Sequence, residues 1–472
     1  MSTPLLHKVY DSSIFKEEGD HLINLLSDYL SKTVSMESEK VINWSEPDEE
    51  YLFWKNFKQK GYTTSQLFQT VIERSIHTHH PHYIGHQVAP SVPLSALATL
   101  LSAQLNNGMA VYEMGAASTA LERVVIEFFT QALGFKNGDG FLTSGGTLAN
   151  LTALLAARSI KASSDVWNEG ATHKLAILVS EEAHYCVDRS ARIMGLGSGG
   201  IIKIPSDKNF KMRTDLLETY YAQAINNGFE IIAVVGSAPS TSTGVYDDLE
   251  AISAFAKAKN IWFHIDAAHG GAAIFSSKYK QLLNGANQAD SIIIDGHKMM
   301  GISAITTAVL FKKSTSSYAA FEQKAQYLWE KNDDPDWFNL AKRTFECTKS
   351  MMSLRFYVLI NAYGSQFFED FLTTLYDTAI NFGAFIKEQK DFELALDPVS
   401  NIVCFRHIGK GGNLDDINLN IRRSLLEDGI FYIVSTRLRG DFFLRMTVMN
   451  PFTNMTHLAA LLENIRKIVN NK

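Results

Sequence analysis

Cysteine is scarce: the 472-residue chain has three, Cys186, Cys347 and Cys404, lying far apart. They form no CxxC pair. A cysteine-type metal knuckle and a disulfide framework are therefore excluded, and a reducing compartment is expected. Long apolar runs are also missing. Nothing approaches the ~18 uncharged apolar residues of a membrane span. The opening "MSTPLLHKVYDSSIFKEEGD" lacks the apolar centre of a secretion signal. There is no basic excess: 44 Lys and Arg face 50 Asp and Glu, a net charge of −6. That balance argues against a nucleic-acid partner. No internal repeat or low-complexity tract is present. The expectation is a soluble, cytoplasmic chain with no membrane and no nucleic-acid partner.

What is abundant is apolar content, at 46%. It supports a large core and more than one domain. Residues 1–95 read as a helical segment followed by an irregular one. "EEGDHLINLLSDYLSK" repeats its apolar residues at helical spacing, whereas Pro and Gly break "HTHHPHYIGHQVAPSVP". Four histidines there, His77, His79, His80 and His82, invite a metal, but no acids or cysteines accompany them. A pocket-lining loop is the better reading, and no metal is expected. Residues 96–370 change character. "KLAILVS", "EIIAVVG", "IWFHIDA", "SIIID" and "AITTAVLF" are short, almost wholly apolar runs, separated by helical stretches such as "TALERVVIEFFTQAL" and "DLEAISAFAKAK". Strands read this way when both faces of a sheet are covered. The fold class is α/β, a mostly parallel sheet in an αβα layer, with ligands beyond the carboxyl ends of the strands. Residues 371–472 alternate helix and strand and predict a small C-terminal domain with a largely antiparallel sheet.

Four stretches could carry chemistry. In "DGFLTSGGTLANLTALLAAR" (139–158), Ser144, Gly145, Gly146 and Thr147 precede a helix. Glycines let an anion approach the backbone, and a helix start offers unpaired N–H groups. The spacing here is neither GxGxxG nor GxxxxGK[ST], and a plain Ser/Thr helix cap is the competing reading. His184, in "SEEAHYC", follows a strand and could stack on a planar ring, or be structural. Asp266, in "HIDAAHGG", ends a buried strand and needs a partner. A cationic ring nitrogen would serve; so would an ordinary hydrogen bond. Lys298, in "DGHKMMG", also follows a strand. Partial desolvation there is expected to lower its pKa and raise its nucleophilicity. An anion nest, a flat imidazole, an acid and an amine together match the needs of pyridoxal phosphate, whose aldehyde takes an amine and whose ring nitrogen takes an acid.

At "GGTLANLTALLAAR", "HIDAAHGG" and "DGHKMMG" the chain resembles the group II pyridoxal-phosphate amino-acid decarboxylases, among them the glutamate, aromatic-L-amino-acid, cysteine sulfinate and 2,4-diaminobutyrate enzymes. The likeness runs from about residue 75 to the end. It implies the type I fold of the aspartate aminotransferases and pyridoxal 5'-phosphate as cofactor. It also implies a homodimer with shared active sites, whose interface includes the N-terminal helix. By the same resemblance Lys298 is the Schiff-base lysine and Asp266 the partner of the ring nitrogen. His184 and Ala268 flank the ring. Gly145, Gly146 and His297 surround the phosphate, and Ser237 and Ala238 stand where Gly-Thr-Thr is usual. Tyr327, in "AQYLWEKNDDPDWFN", is the proton donor to the carbanion. Arg445, in "FFLRMTVMNP", holds the substrate α-carboxylate, and His82, Tyr83, His86 and Gln87 line the pocket.

The reaction implied is decarboxylation of an L-amino acid to its amine and carbon dioxide. A lyase or aminotransferase of the same fold is the alternative, and a non-catalytic cofactor-binding protein a third reading. Three departures stand out. Asp295-Gly296 replaces Asn-Pro before His297-Lys298, His269 stands where Tyr is frequent, and "GSAPSTSTG" carries extra residues. A carboxylate aimed at a phosphate would repel it, so Asp295 is expected to point elsewhere or share a proton. His269 points either at the site or away from it.

Overall fold

The computed structural model describes residues 3–58, 61–321, 337–409 and 411–470. The chain groups into two compact units. One comprises Met1–His86, Asn381–Ala395 and Cys404–Lys472, the other Gln87–Ile380 and Leu396–Val403. The N-terminal segment thus belongs with the C-terminal one. Among the described residues no helix is long and apolar enough to cross a membrane.

The larger unit is built on seven strands: β1 (Asp139–Thr143), β2 (Lys174–Ser180), β3 (Ile201–Ile204), β4 (Phe229–Ser237), β5 (Trp262–Asp266), β6 (Ser291–Asp295) and β7 (Thr307–Phe311). Their order is β1-β7-β6-β5-β4-β2-β3. The β3-β2-β4-β5-β6 part is parallel, as the apolar runs predict, and β7 and β1 run antiparallel at one edge. Every residue of β1, β5, β6 and β7 is buried. The helix Gly146–Lys161 presents Ala149, Ala153, Ala156 and Ala157, all at 0% exposure, to this sheet. Small side chains allow the helix to approach closely.

Sequence periodicity finds β2, β4, β5, β6 and β7 but misses β1 and β3. β1 is not apolar throughout. Asp139 begins it and accepts from the Arg343 guanidinium at 2.5 Å, and the Lys349 ammonium bonds both Glu122 and the Leu142 carbonyl, the latter at 2.7 Å. Tertiary ion pairs hold this strand, and no periodicity reports them.

The smaller unit carries a second sheet of β8 (Phe392–Leu394), β9 (Ile402–His407), β10 (Val434–Leu438) and β11 (Asp441–Thr447), ordered β10-β11-β9-β8, with antiparallel β10–β11 and β8–β9 pairs. The histidine-rich segment is not a free loop. Ile84 N–H donates to the Tyr432 carbonyl at 3.1 Å, and Thr447 N–H to the Ile84 carbonyl at 2.8 Å. The rings serve packing. His82 stacks on Phe431 with centroids 3.9 Å apart and lies 3.2 Å from the Ile430 carbonyl, while His80 bonds the Ser38 carbonyl at 2.9 Å.

Burial pushes the His82 imidazole down to about 4. The unfolded ring takes a proton near 6.5, so the stability it contributes is complete above that pH and is lost as pH falls toward 4. Urea midpoints followed by tryptophan fluorescence should therefore fall between pH 7 and pH 4.5. His82→Phe, which keeps the stack on Phe431, should flatten part of that slope. An identical slope in the variant would contradict this.

Candidate active site

Along β5 alternate side chains point to the same face. Trp262, His264 and Asp266 share one, and Asp266 ends the strand at 8% exposure. A carboxylate so placed needs donors. Asn150 Nδ2 donates at 3.0 Å to Oδ2, and the Ala268 N–H at 3.2 Å to Oδ1. Asn150 comes from the Gly146–Lys161 helix. The Cys186 thiol lies 3.9 Å from the same Oδ2. Burial first, and Asp266 next, push that thiol up, so it stays protonated.

β6 ends on Asp295, and β7 runs back antiparallel with Thr307 directly opposite. The turn between them carries His297 and Lys298. This pairing answers where Asp295 points. Lys298 Nζ lies 2.9 Å from its Oδ2, and Thr307 Oγ1 donates to its Oδ1 at 2.5 Å. His297 Nε2 is 3.7 Å from Oδ2, and its Nδ1 is 3.2 Å from the Thr306 carbonyl. Gly296 donates its N–H to the Thr306 carbonyl at 2.9 Å, a bond that proline cannot make. It also has no room for a side chain, since a Cβ there would meet Phe356 Cζ at 2.2 Å.

The expectation that Lys298 is depressed is overturned. Burial alone lowers the ammonium, but the carboxylates of Asp295 and Asp266 outweigh it and hold the group above the ordinary lysine value. The Lys298 ammonium is thus favoured beside Asp295, and it must lose a proton before it can attack an aldehyde.

The Gly146–Lys161 helix begins beside this pair. Its N-cap is Gly145 at φ 111°, a backbone conformation that suits glycine, and no side chain caps it. The Ser/Thr-cap reading is thereby set aside, because Ser144 Oγ donates instead to Glu346 at 2.8 Å. Thr147 is exposed. Gly146 allows a close approach, for a Cβ there would lie 3.1 and 3.3 Å from the two Asp295 oxygens. The free N–H groups and partial positive charge of a helix start favour an anion.

His184 caps the helix Tyr185–Ile193 and accepts at Nδ1 from the Cys186 N–H at 3.3 Å. Burial lowers its imidazole, with the charges of Asp266, Lys298 and Asp295 acting on it in turn. These four groups thus share one electrostatic neighbourhood. Beside it, Ala89 N–H reaches the His297 carbonyl at 3.4 Å, which brings the segment after Gln87 to the lysine turn. Ser237 donates its N–H to Asp247 at 2.8 Å. Ala238, at 0% exposure, donates its own to the Asp266 carbonyl at 2.8 Å. His269 points to Asn401, at 2.8 Å.

Arg445, His82, Tyr83 and His86 belong to the smaller unit, and Gln87 begins the larger one. Arg445 lies on β11, opposite Val434, at 6% exposure. His86 is lowered by partial burial and then by the charges of Arg445 and Arg422. Tyr83 donates to the His86 carbonyl at 3.3 Å and stacks on Tyr432. Tyr327 lies outside the described residues. Sequence reasoning missed Asn150, His264, Ser291 and Thr307. The signal available for His264 was the polar alternation in "WFHID"; for the other three none exists without the fold.

The donor set fits pyridoxal phosphate: an amine, a braced carboxylate, a flat imidazole and an uncapped helix start converge at the strand ends. Asp295→Asn should lower the Lys298 ammonium. The pH at which the apoprotein captures pyridoxal phosphate, read from its visible absorbance, should then shift acidward by about one unit, as for removal of a close opposite charge. An unshifted profile would remove Asp295 from this role.

Comparison with known proteins agrees with this chemistry. The family model of the pyridoxal-dependent decarboxylase conserved domain matches residues 24–408. An aspartate 1-decarboxylase of Aliivibrio fischeri is 28% identical, with 86% of this chain and 83% of that protein covered. An L-2,4-diaminobutyrate decarboxylase of Acinetobacter baumannii is 26% identical, covering 86% and 84%. An acidic amino acid decarboxylase of Xenopus tropicalis is also 26% identical, covering 98% and 94%. The fold matches the crystal structure of mouse CSAD with a TM-score of 0.90, at 23% identity, covering 97% and 99%. The chain therefore belongs to the pyridoxal-dependent decarboxylases, and it uses pyridoxal phosphate to remove carbon dioxide from an amino acid.

Proposed function

We propose that the substrate is an L-amino acid with an acidic side chain, and that the reaction is run by Lys298, Asp266, His184, Arg445 and Tyr327. The observation that carries the assignment of these roles is the convergence of Lys298, Asp266 and His184 beside an uncapped helix start. The acidic class is favoured by relatives that act on aspartate and on acidic amino acids. It is also favoured by the two guanidinium groups, Arg422 and Arg445, whose charges act on His86. A substrate with two carboxylates suits two arginines. 2,4-Diaminobutyrate, the substrate named for another relative, is the competing choice.

Pyridoxal phosphate, when bound, supplies an aldehyde for the substrate amine and a ring that accepts the electron pair released with carbon dioxide. The chain does the rest. Gly145, Gly146 and Thr147, with Ser144 and His297 nearby, would hold the phosphate at the helix start. Asp266 would partner the ring nitrogen, and His184 and Ala268 would flank the ring. Lys298 would hold the aldehyde, and Asp295, 2.9 Å from its amine, would take up and return the lysine's proton. Arg445 would bind and orient the substrate α-carboxylate. Tyr327 returns a proton to Cα.

The protein works as a homodimer in the cytoplasm in this reading. Leu97, Leu100, Leu101 and Leu105 of the helix Pro93–Leu105 are 45 to 51% exposed, and Phe15 and Leu26 of the helix Ser12–Val34 are exposed too. Apolar helix faces of this kind favour a partner copy. Buried thiols at Cys186 and Cys404, neither in a disulfide, suit a reducing compartment.

Products from a panel of L-amino acids should show amine and carbon dioxide from aspartate, glutamate or cysteine sulfinate. Turnover of 2,4-diaminobutyrate alone would sink the acidic assignment. Tyr327→Phe should retain the cofactor's visible band and lose amine formation by about a hundredfold, the usual scale of a general acid. Unchanged amine output would remove Tyr327 from the mechanism. In sedimentation, Leu100→Glu with Leu101→Glu should convert a dimer to a monomer.

A further inference from the structure

Behind Asp266 stands a chain of buried polar groups that the mechanism above does not use. Trp262 Nε1 lies 2.8 Å from Ser291 Oγ, and His264 Nδ1 lies 2.8 Å from the same oxygen. His264 Nε2 lies 2.7 Å from Asn150 Oδ1, and Asn150 Nδ2 reaches Asp266 Oδ2 at 3.0 Å. Exposure is 2% at Trp262 and 0% at Ser291, His264 and Asn150. Bulk solvent does not reach these groups.

The chemistry of the two ends fixes every proton between them. A carboxylate accepts and an indole N–H donates. Asp266 therefore requires the amide nitrogen of Asn150 to face it. That leaves Asn150 Oδ1 toward His264, whose Nε2 must donate. Burial pushes His264 down to about 4, so the ring is neutral and its Nδ1 is an acceptor. Ser291 donates to that Nδ1 and accepts from Trp262. All bonds then point the same way, toward Asp266. The second Asn150 amide proton reaches Cys186 Sγ at 3.1 Å, so the amide has no reason to flip.

Strand register builds the chain. His264 and Ser291 are direct partners on β5 and β6, and Trp262 and Asp266 flank His264 on its own face of β5. With Asn150 on one oxygen and Ala268 N–H on the other, the carboxylate plane is set from behind. At the end of β6, Asp295 is met instead by a lysine and a hydroxyl.

We propose that Trp262, Ser291, His264 and Asn150 form a one-way hydrogen-bond relay that orients Asp266 toward the cofactor's ring nitrogen, with Asn150 and His264 as positioning residues. This rests on the assignment of Asp266 to that nitrogen. The relay supplies preorganisation: an oriented carboxylate meets the ring nitrogen without first losing rotational freedom.

The test compares two ligands on the apoprotein, with no turnover. One is pyridoxal 5'-phosphate. The other is its 1-deaza analogue, in which carbon replaces the ring nitrogen. Dissociation constants come from quenching of tryptophan fluorescence for the wild type and for Asn150→Leu, His264→Phe and Ser291→Ala. The Asn150 and His264 variants should bind pyridoxal phosphate about tenfold or more weakly, the scale of a lost bond to a charged group. Their affinity for the analogue should stay within a factor of about three, the reach of ordinary repacking. Ser291→Ala, the mildest truncation, should fall between these variants and the wild type. Equal losses for both ligands, or no loss for either, would overturn the relay. Asp266→Asn separates the two levels: if it leaves the preference for the pyridine ring intact, the assignment of Asp266 fails, whatever the relay does.

Discussion

Asp266 ends a strand whose five residues are all buried, and its own exposure is 8%. Holding a carboxylate there costs on the order of several kcal/mol unless donors reach it. The surroundings follow from that requirement. The helix Gly146–Lys161 must lie close enough for Asn150 to reach the strand end, which calls for its alanine face. The chain after Asp266 must turn at once for the Ala268 N–H to come back to it. The same helix placement brings its uncapped start over the strand mouths. One buried charge thus ties the sheet, the covering helix and that helix's uncapped start together.

The second acid is handled differently. Asp295 meets a mobile charge, Lys298, and a hydroxyl from the neighbouring antiparallel strand. Two carboxylates on adjacent strands would repel each other without a cation, and Lys298 is that cation. The departure from Asn-Pro to Asp-Gly is therefore coherent: Asp295 gains the lysine, and Gly296 gains a backbone bond while fitting against Phe356.

Much of this was legible in the chain itself. Apolar runs located five of the seven strands, and the small-residue motifs located the lysine, the acid, the imidazole and the helix start. What escaped depends on tertiary placement, and for two site residues on register. Thr307 matters because it stands opposite Asp295, and Ser291 because it stands opposite His264. Neither fact follows from local spacing. The same limit explains the wrong sign expected for Lys298. Burial was readable from its place after a strand, but the second acid acting on it comes from β5. The packing partners of the histidine cluster were hidden for a related reason, since Phe431 and Ile430, which meet His82, lie far along the chain.

The reversal between β6 and β7 has a kinetic consequence. Both arms of that turn are locked in sheet register, from Ser291 opposite Phe311 to Asp295 opposite Thr307, and Gly296 is tied to Thr306 within it. The Cα of Lys298 is consequently a fixed post. The amine travels on its own four-carbon tether, by rotations about single bonds. In the reading proposed above, the exchange at Lys298 therefore calls for side-chain rotations and for none of the slower, microsecond-to-millisecond rearrangements of backbone elements.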